Sequence, residues 1–379
     1  MKIGIDARFL GPESKGLGRY TQKLVEHLEK IDHENQYIIF LRKDNYDLFQ
    51  PTNPNFKKIL ADYKWYTFAE QIFMPLLLHK HKFDFVHFPH FNIPIFYLGK
   101  FIITIHDLIL VRFPTKKATT LNKFFYTIKF LVYKLTIFLA VKRAMKIIAV
   151  SQFTKQDICQ YYNLPSEKIF VTHEAVDNEK NIKKDEICAG DEVAKKTELD
   201  KFLIYVGNAY PHKNLEKLVE AFGVWKKKTN HSHKLVLVGK DDYFYQKLKE
   251  YIKNKDIKDV IIFDTLSDRI LYNLYAKASA FIFLSLYEGF GLPPLEAMQE
   301  GIPVLSSDHP VMLEILGESA LHCDGENIDN IVRGMKRIVG DQNLRKELIA
   351  KGRIQANKYS WEKMAKETFE VYDSVNGNR

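Results

Sequence analysis

The sequence predicts an α/β protein of two doubly wound domains, and three observations carry the prediction. The first is a series of short apolar segments: KIGID (2–6), YIIFL (37–41), FDFVHF (83–88), FIITIH (101–106) and KIIAVS (146–151). Each is apolar enough to be buried on both faces, as strands of a parallel sheet are. The second is the polar stretch NEKNIKKDEICAGDEVAKKTELD (178–200), where this alternation lapses. The third is its restart with KFLIYVG (201–207), HKLVLVG (233–239), DVIIFD (259–264), AFIFLS (280–285) and IPVLSS (302–307). Helical patterns separate the strands in both halves, and such alternation argues for a parallel, doubly wound sheet in each.

Length agrees, since 379 residues exceed one ordinary domain and suit two. The expected organisation is a domain over 1–178, a linker over 179–200, a second domain over 201–359 and a C-terminal helix over 360–379. Ser360 stands where a helix N-cap belongs, and the helix is expected to pack back toward the N-terminal domain. Open α/β sheets bind ligands beyond the carboxyl ends of their strands. Two such edges facing across a cleft would bring loops from both halves onto one substrate.

Composition excludes more than it selects. Hydrophobic residues at 46% and charged residues at 27% describe a folded chain, and no window of about 20 residues is free of charge, so no spanning helix is expected. MKIGIDARFL runs straight into a strand pattern without the apolar core of a signal peptide. Cys159, Cys188 and Cys323 are odd in number and far apart, which offers neither a disulfide framework nor paired metal ligands and fits a reducing cytoplasm. The formal net charge of +9 suits nucleic acid, anionic lipid or a phosphorylated small molecule, and does not choose among them.

The most informative stretch is SLYEGFGLPPLEAMQEG (285–301). It leaves the sheet at a strand's carboxyl end, and Gly289 and Gly291 let the backbone turn tightly and approach a ligand. Pro293 and Pro294 suit the first turn of a helix, where a missing N–H costs little. The amides of Phe290, Gly291 and Leu292 then sit near a helix start, which favours anions. Taken singly, Glu288 is a solvated loop charge and Glu296 a first-turn acid that complements the helix dipole. Taken together, an anion pocket flanked by two carboxylates suits a ligand with phosphates and sugar hydroxyls.

This stretch resembles the E-x7-E signature of retaining glycosyltransferases of the GT-B fold, in particular glycosyltransferase family 4. The resemblance extends from LYAKASAFIFLSLYEGFGLPPLEAMQEGIPVLSSDHPVMLEILGESALHCD to YVGNAYPHKNLEKLVEAF (205–222), VSQFTKQDI (150–158), VTHEAVD (171–177), GIDARFLGPESKGLGRYTQKL and ITIHDL. These landmarks occur in the family's order over nearly the whole chain. The resemblance implies the GT-B fold, with the N-terminal domain taking the acceptor and the C-terminal domain the nucleotide sugar.

Carried over residue by residue, it implies that Glu288 meets hydroxyls of the transferred sugar and that Glu296 accepts hydrogen bonds from the ribose; both roles suit carboxylates, which only accept. Phe290, Gly291 and Leu292 fall where the family holds donor sugar and diphosphate. Lys213, within PHKN, matches the lysine that neutralises the diphosphate as the leaving group gains charge. Gly207 and Asn208 open that loop. Where many relatives carry arginine, this chain has Asn208 and His212, so neutralisation falls more heavily on Lys213 and backbone amides, or the donor differs. Gly16 and Gly18 form the glycine turn used in the family against donor phosphates or beside the acceptor. A dinucleotide fingerprint fails there, because its third glycine position is Thr21. Arg19 is equally a phosphate contact and a helix-surface charge. His106 reads as a structural histidine by itself; the His106–Asp107 pair in the family lies beside the donor sugar and orients its hydroxyls, and it is not assigned as a base.

The resemblance further implies retention of configuration by front-face attack, with electrostatic support and positioning rather than a covalent intermediate. The carboxylate pair of glycoside hydrolases, which flanks the scissile bond, is a different arrangement. No D-x-D triplet occurs, so neither metal nor other cofactor is expected, and the nucleotide sugar is a substrate. Asp241 and Asp242 read as a loop.

KKATTLNKFFYTIKFLVYKLTIFLAVKRAMK (116–146) is apolar and carries only positive charges. It is either a buried amphipathic helix pair or a membrane-surface helix whose lysines meet anionic lipid. Nucleic acid is not an expected partner, since long aliphatic runs accompany these charges. The expectation is therefore a cytoplasmic sugar transferase, peripheral at the inner face of the cytoplasmic membrane, that acts on a glycan or lipid-linked acceptor in polysaccharide or lipopolysaccharide biosynthesis. The N-terminal and PHKN stretches resemble bacterial mannosyltransferases most, which inclines the donor towards GDP-mannose. A non-catalytic nucleotide-sugar or glycan-binding subunit, and an epimerase of the same shape, are the alternatives.

Overall fold

A computed structural model describes residues 1–114, 123–177, 199–229 and 231–376. Its contacts divide into two compact units, the first comprising Met1–Val111, Thr119–Ala175 and Ser360–Arg379, the second Arg112–Ala118 and Val176–Tyr359. The expected linker falls outside the described residues, apart from Leu199 and Asp200.

The first unit holds a seven-stranded sheet of β1 (Lys2–Asp6), β2 (Gln36–Leu41), β3 (Phe56–Leu60), β4 (Phe85–Phe88), β5 (Phe101–Ile105), β6 (Lys146–Ala149) and β7 (Ile169–Val171), in the order β3-β2-β1-β4-β5-β6-β7. The second holds six strands, β8 (Phe202–Val206), β9 (Lys234–Val238), β10 (Val260–Phe263), β11 (Ala280–Phe283), β12 (Val304–Ser307) and β13 (Leu321–Cys323), in the order β10-β9-β8-β11-β12-β13. Every pairing is parallel. Both are therefore doubly wound sheets. Strand order reverses beside β1 in the first, where Ile3 pairs with Tyr37 on one side and Phe85 on the other. It reverses beside β8 in the second, where Leu203 pairs with Leu235 and Ala280. Such a reversal opens a crevice at the carboxyl ends of the two central strands.

The apolar runs read from the sequence are the central strands and one edge strand, β10. β3, β7 and β13 were not among them, and all three are sheet edges. FKKIL carries two lysines, Lys57 exposed and Lys58 half-buried, and the other two strands have only three residues each, so none shows the signature of burial on both faces.

Two polar devices fix the first unit. After β1 the chain turns inward on Arg8, which is fully buried: its Nε and Nη2 donate to Asp6 (both 2.7 Å), Nη2 also to Glu70 Oε1 (2.7 Å), and Nη1 to the Tyr63 carbonyl (2.9 Å). Asn92 Nδ2 completes the cluster by donating to Glu70 Oε1 (2.9 Å). A buried charge is tolerable only when paired and hydrogen-bonded in this way. The second device attaches the C-terminal helix Trp361–Asn376, whose Lys363 amide is capped by Ser360 Oγ (3.1 Å). This helix packs on the helix Lys15–Ile31, and the buried Tyr372 hydroxyl lies 2.5 Å from His87 Nδ1 on β4. His87 Nε2 contacts Thr104 Oγ1 at 2.9 Å, and burial pushes the imidazole down to about 3, so it stays neutral.

Within the basic aromatic segment, Lys123–Arg143 is one helix, and residues 115–122 lie outside the description. Among the described residues it is a single helix, buried on one face and exposed on the other. Thr136, Ile137, Ala140 and Val141 face inward, while Ile128, Leu131, Val132, Leu135 and Phe138 are exposed. Among the described residues, no helix is long and apolar enough to cross a membrane.

Candidate functional site

In the second unit the two loops at the crevice are those leaving β8 and β11. After β8, Gly207 takes a positive φ of 152°, and a side chain there would meet the Tyr205 ring. Its carbonyl accepts from the Tyr245 hydroxyl (2.9 Å), and the Asn208 carbonyl accepts from the Tyr205 hydroxyl (2.8 Å). The backbone also comes close at Gly239, where a Cβ would lie 2.0 Å from the Gly207 oxygen. Glycine is thus demanded twice, once by dihedral and once by contact. The loop ends in a turn, Pro211–Lys213, terminated by Asn214 in the left-handed region at φ 62°.

Asn214 then joins this loop to its neighbours. Its Nδ2 donates to the carbonyls of Leu284 (3.2 Å) and Gly325 (2.7 Å). The Leu286 amide donates to the His212 carbonyl (2.7 Å), and Ser307 Oγ donates to the Ser285 carbonyl (2.7 Å). With the loops fixed this way, Lys213 Nζ donates to Glu288 Oε1 in an ion pair whose side chains are only 13% and 10% exposed. Lys213 Nζ also lies 5.5 Å from the centre of the Phe283 ring. One cation and one carboxylate, set at the point where strand order reverses, are what the structure brings together from the residues named on sequence grounds.

His212 is buried, and burial, with the adjacent Lys213, pushes its imidazole down to about 4. It is neutral near pH 7 and supplies no cation to the site. Phe290 is also buried, its ring edge-on to Tyr359 with centroids 5.3 Å apart.

The helix after Glu288 runs Leu292–Gln299, with Gly291 at its N-cap in the left-handed region at φ 99°. A Cβ on Gly291 would come within 2.6 Å of Met312 Cε. The expected place of Glu296 needs correction: it is the fifth residue, beyond the first turn, because the helix begins at Leu292 and both prolines lie inside it. Its carboxylate is therefore not a first-turn partner of the dipole. Pro293 and Pro294 bring no N–H, so the donors at this terminus belong to Gly291 and Leu292.

Gly16, Gly18 and His106 belong to the first unit. Gly18 is buried, and a Cβ there would lie 1.9 Å from the Gly11 carbonyl oxygen, so its role is to let the loop after β1 lie against the helix Lys15–Ile31. Gly16 is exposed, with open space around it. His106 follows β5 with both ring nitrogens engaged: Nδ1 lies 2.7 Å from Glu174 Oε1 and Nε2 lies 3.0 Å from the Pro89 carbonyl. Burial would lower its pKa, but the hydrogen bond and charge of Glu174, with help from the Pro89 carbonyl and Asp107, raise it. The structure therefore gives His106 a carboxylate partner that the sequence reading did not name. Glu174 stood in view within VTHEAVD, but an acid after a strand identifies no partner by itself.

Comparisons with known proteins bear on this geometry. Residues 14–180 match the family model for Glycosyltransferase Family 4, and residues 191–355 match that for Glycosyl transferases group 1. The chain belongs to glycosyltransferase family 4. This family-4 glycosyltransferase is 28% identical over 346 residues to the O-antigen chain mannosyltransferase RfbU of Salmonella typhimurium, covering 87% of this chain and 88% of that one. It is 26% identical over 379 residues to the O-antigen chain mannosyltransferase B of Escherichia coli, covering 94% and 95%. Among solved structures, Anabaena Alr3699/HepE in complex with UDP-glucose superposes with a TM-score of 0.71 over 98% of this chain and 99% of that one. At 13% identity that likeness concerns the fold, which is GT-B.

Proposed function

We propose that this glycosyltransferase is a retaining, metal-independent hexosyltransferase of polysaccharide biosynthesis that moves mannose from GDP-mannose to a glycan or lipid-linked acceptor. The observation that carries the reading is the Lys213–Glu288 pair at the strand-order reversal of the second sheet. Two mannosyltransferases of O-antigen chains among the relatives support the donor. In this reading Lys213 Nζ faces the diphosphate, Glu288 accepts from hydroxyls of the transferred sugar, and Glu296 accepts from the ribose. The acceptor hydroxyl attacks the anomeric carbon as the bond to the diphosphate oxygen breaks, and the leaving phosphate takes the hydroxyl proton. Lys213 stabilises charge that grows on the leaving group, a contribution larger in the transition state than in the ground state. With His212 neutral, that task falls to Lys213 and to backbone amides.

A thermal-shift series tests the donor, because a ligand that binds only the folded state raises its melting temperature. GDP and GDP-mannose are expected to raise the melting temperature more than UDP and UDP-glucose, and purified enzyme to release GDP from GDP-mannose when acceptor is added. Stabilisation by uridine nucleotides alone would reassign the donor; binding without any transfer or hydrolysis would leave a nucleotide-sugar-binding subunit.

We also propose that the first unit rests on an anionic membrane surface. The outward face of Lys123–Arg143 carries five exposed apolar residues among Lys129, Lys134 and Lys142. The helix Phe68–His81 exposes Phe68, Ile72 and Leu76 in line with Lys80. Ile95 pins the two helices together, its amide donating to Gln71 Oε1 (2.6 Å) and its carbonyl accepting from Arg143 Nη1 (2.7 Å). Apolar side chains ringed by lysines suit a lipid interface. Co-sedimentation with phosphatidylglycerol vesicles, weakened by salt, is the expected result; equal binding to phosphatidylcholine would remove the electrostatic part.

A further inference from the structure

We infer that Glu174 is a positioning residue that holds His106 as an imidazolium, fixing the loops after β4, β5 and β7 in one arrangement. This rests on the reading of His106 as a residue of the transfer site.

The argument begins with which atoms can donate. His106 Nε2 faces the Pro89 carbonyl oxygen at 3.0 Å, and a carbonyl only accepts, so Nε2 carries a proton. Nδ1 faces Glu174 Oε1 at 2.7 Å, the distance of a charge-assisted hydrogen bond, and an ionised carboxylate also only accepts. Both nitrogens must then be protonated. Pro89 lies just past β4, His106 just past β5 and Glu174 past β7, so one cationic ring ties three loops at the carboxyl edge of the first sheet. Tyr20 completes the setting, its ring edge-on to the imidazole at 4.7 Å.

The surrounding charges agree. Glu174 and Asp107 favour the cation. His87 and His90 are each pushed down to about 3, by burial first and then by the His106 charge, so neither competes with it near pH 7. With both N–H groups spent on the protein, His106 is neither a proton acceptor nor a free donor, so it has no N–H left to orient the sugar's hydroxyls as the resemblance implied; its part is to hold the loop backbone in place. If it loses a proton at Nδ1, that lone pair faces the carboxylate oxygen, and the tie to Glu174 is broken.

The sign of the pH effect follows. The folded value is raised, so the imidazolium is fully present below the ordinary histidine value of about 6.5, and the arrangement is lost as pH climbs through the raised value. The test is a titration of the full-length protein carrying ¹⁵N-labelled histidine. In wild type, the His106 resonances, assigned with His106→Gln, are expected to show both nitrogens protonated at pH 7. In Glu174→Gln, the midpoint is expected to move down by about one pH unit or more. The alkaline limb of GDP-mannose turnover should move with it, while Glu174→Asp should restore part of the shift. A wild-type His106 that is neutral at pH 7, or a midpoint unmoved in Glu174→Gln, would overturn the inference whatever the enzyme's activity. Titration as expected with a turnover limb that does not follow would confine the pair to the fold and overturn its positioning role.

Discussion

Glu288→Ala is expected to lower sugar transfer by on the order of 10²–10³-fold or more, as removal of a preorganised polar partner of the transition state does, while the protein stays folded. Glu288 lies in a loop beyond β11 whose position is set by other bonds: Leu286 to His212, Asn214 to Leu284 and Ser307 to Ser285. None of them needs the carboxylate. The stability cost is the unmade charged hydrogen bond of Lys213, roughly 1–3 kcal/mol, against a total of about 5–15 kcal/mol for a typical domain. Lys213 keeps 13% exposure and can turn to water, which holds the cost near the lower end. Circular dichroism and melting temperature report the fold, and initial rates with GDP-mannose report the transfer. Full activity in this variant would remove Glu288 from the site.

Lys213→Ala should weaken nucleoside diphosphate binding by about 10- to 100-fold, because hydrogen bonds to charged groups are worth about 1.5–3 kcal/mol and each 1.4 kcal/mol is tenfold. The two variants should also differ in an instructive way. In the free enzyme Lys213 is already engaged by Glu288, so a diphosphate competes with that carboxylate for the same Nζ. Removing Glu288 frees the lysine; GDP affinity should then hold or rise although transfer has collapsed. Removing Lys213 lowers both and leaves the Glu288 carboxylate nearly buried without its cation. Isothermal titration of GDP into the two variants separates these outcomes. Equal GDP affinity in wild type and Lys213→Ala would dismiss the lysine as the diphosphate partner.

How far the sequence alone could carry this picture depends on the kind of residue. The central strands were legible because burial on both faces leaves continuous apolar runs such as FLIYV and AFIF. Of the edge strands, β10 kept the apolar run VIIF and was legible; β3, β7 and β13 were not, since FKKIL reads as half solvent and IFV and LHC are too short to show a period. At the site, Glu288, Lys213 and the glycine positions stood out because loop, helix start and charge coincide in a short span. Glu296 was placed one residue too early in its helix, since the two prolines suggested that the helix began with them, whereas it begins at Leu292. Glu174 lies 68 residues beyond His106 in the chain, and only the sheet brings the two into contact. Arg8 illustrates the same limit: within a polar-looking loop, nothing local says that it is fully buried among Asp6, Glu70 and a carbonyl. Partnerships between distant residues are made by topology, and local pattern does not encode them.

The attachment of the C-terminal helix reaches back to how the protein is made. The first unit is assembled from sequence on both sides of the second: Met1–Val111 and Thr119–Ala175 come before nearly all of Val176–Tyr359, and Ser360–Arg379 comes after it. Domains ordinarily fold in the order of synthesis, the N-terminal one first. Here the segment Val176–Tyr359 emerges whole while the opening sheet still lacks its closing helix, and the His87 ring on β4 waits without the Tyr372 hydroxyl. The nascent chain therefore completes its later-encoded unit before its earlier one. A chain that stopped at Tyr359 would hold the whole second unit attached to a first that cannot close.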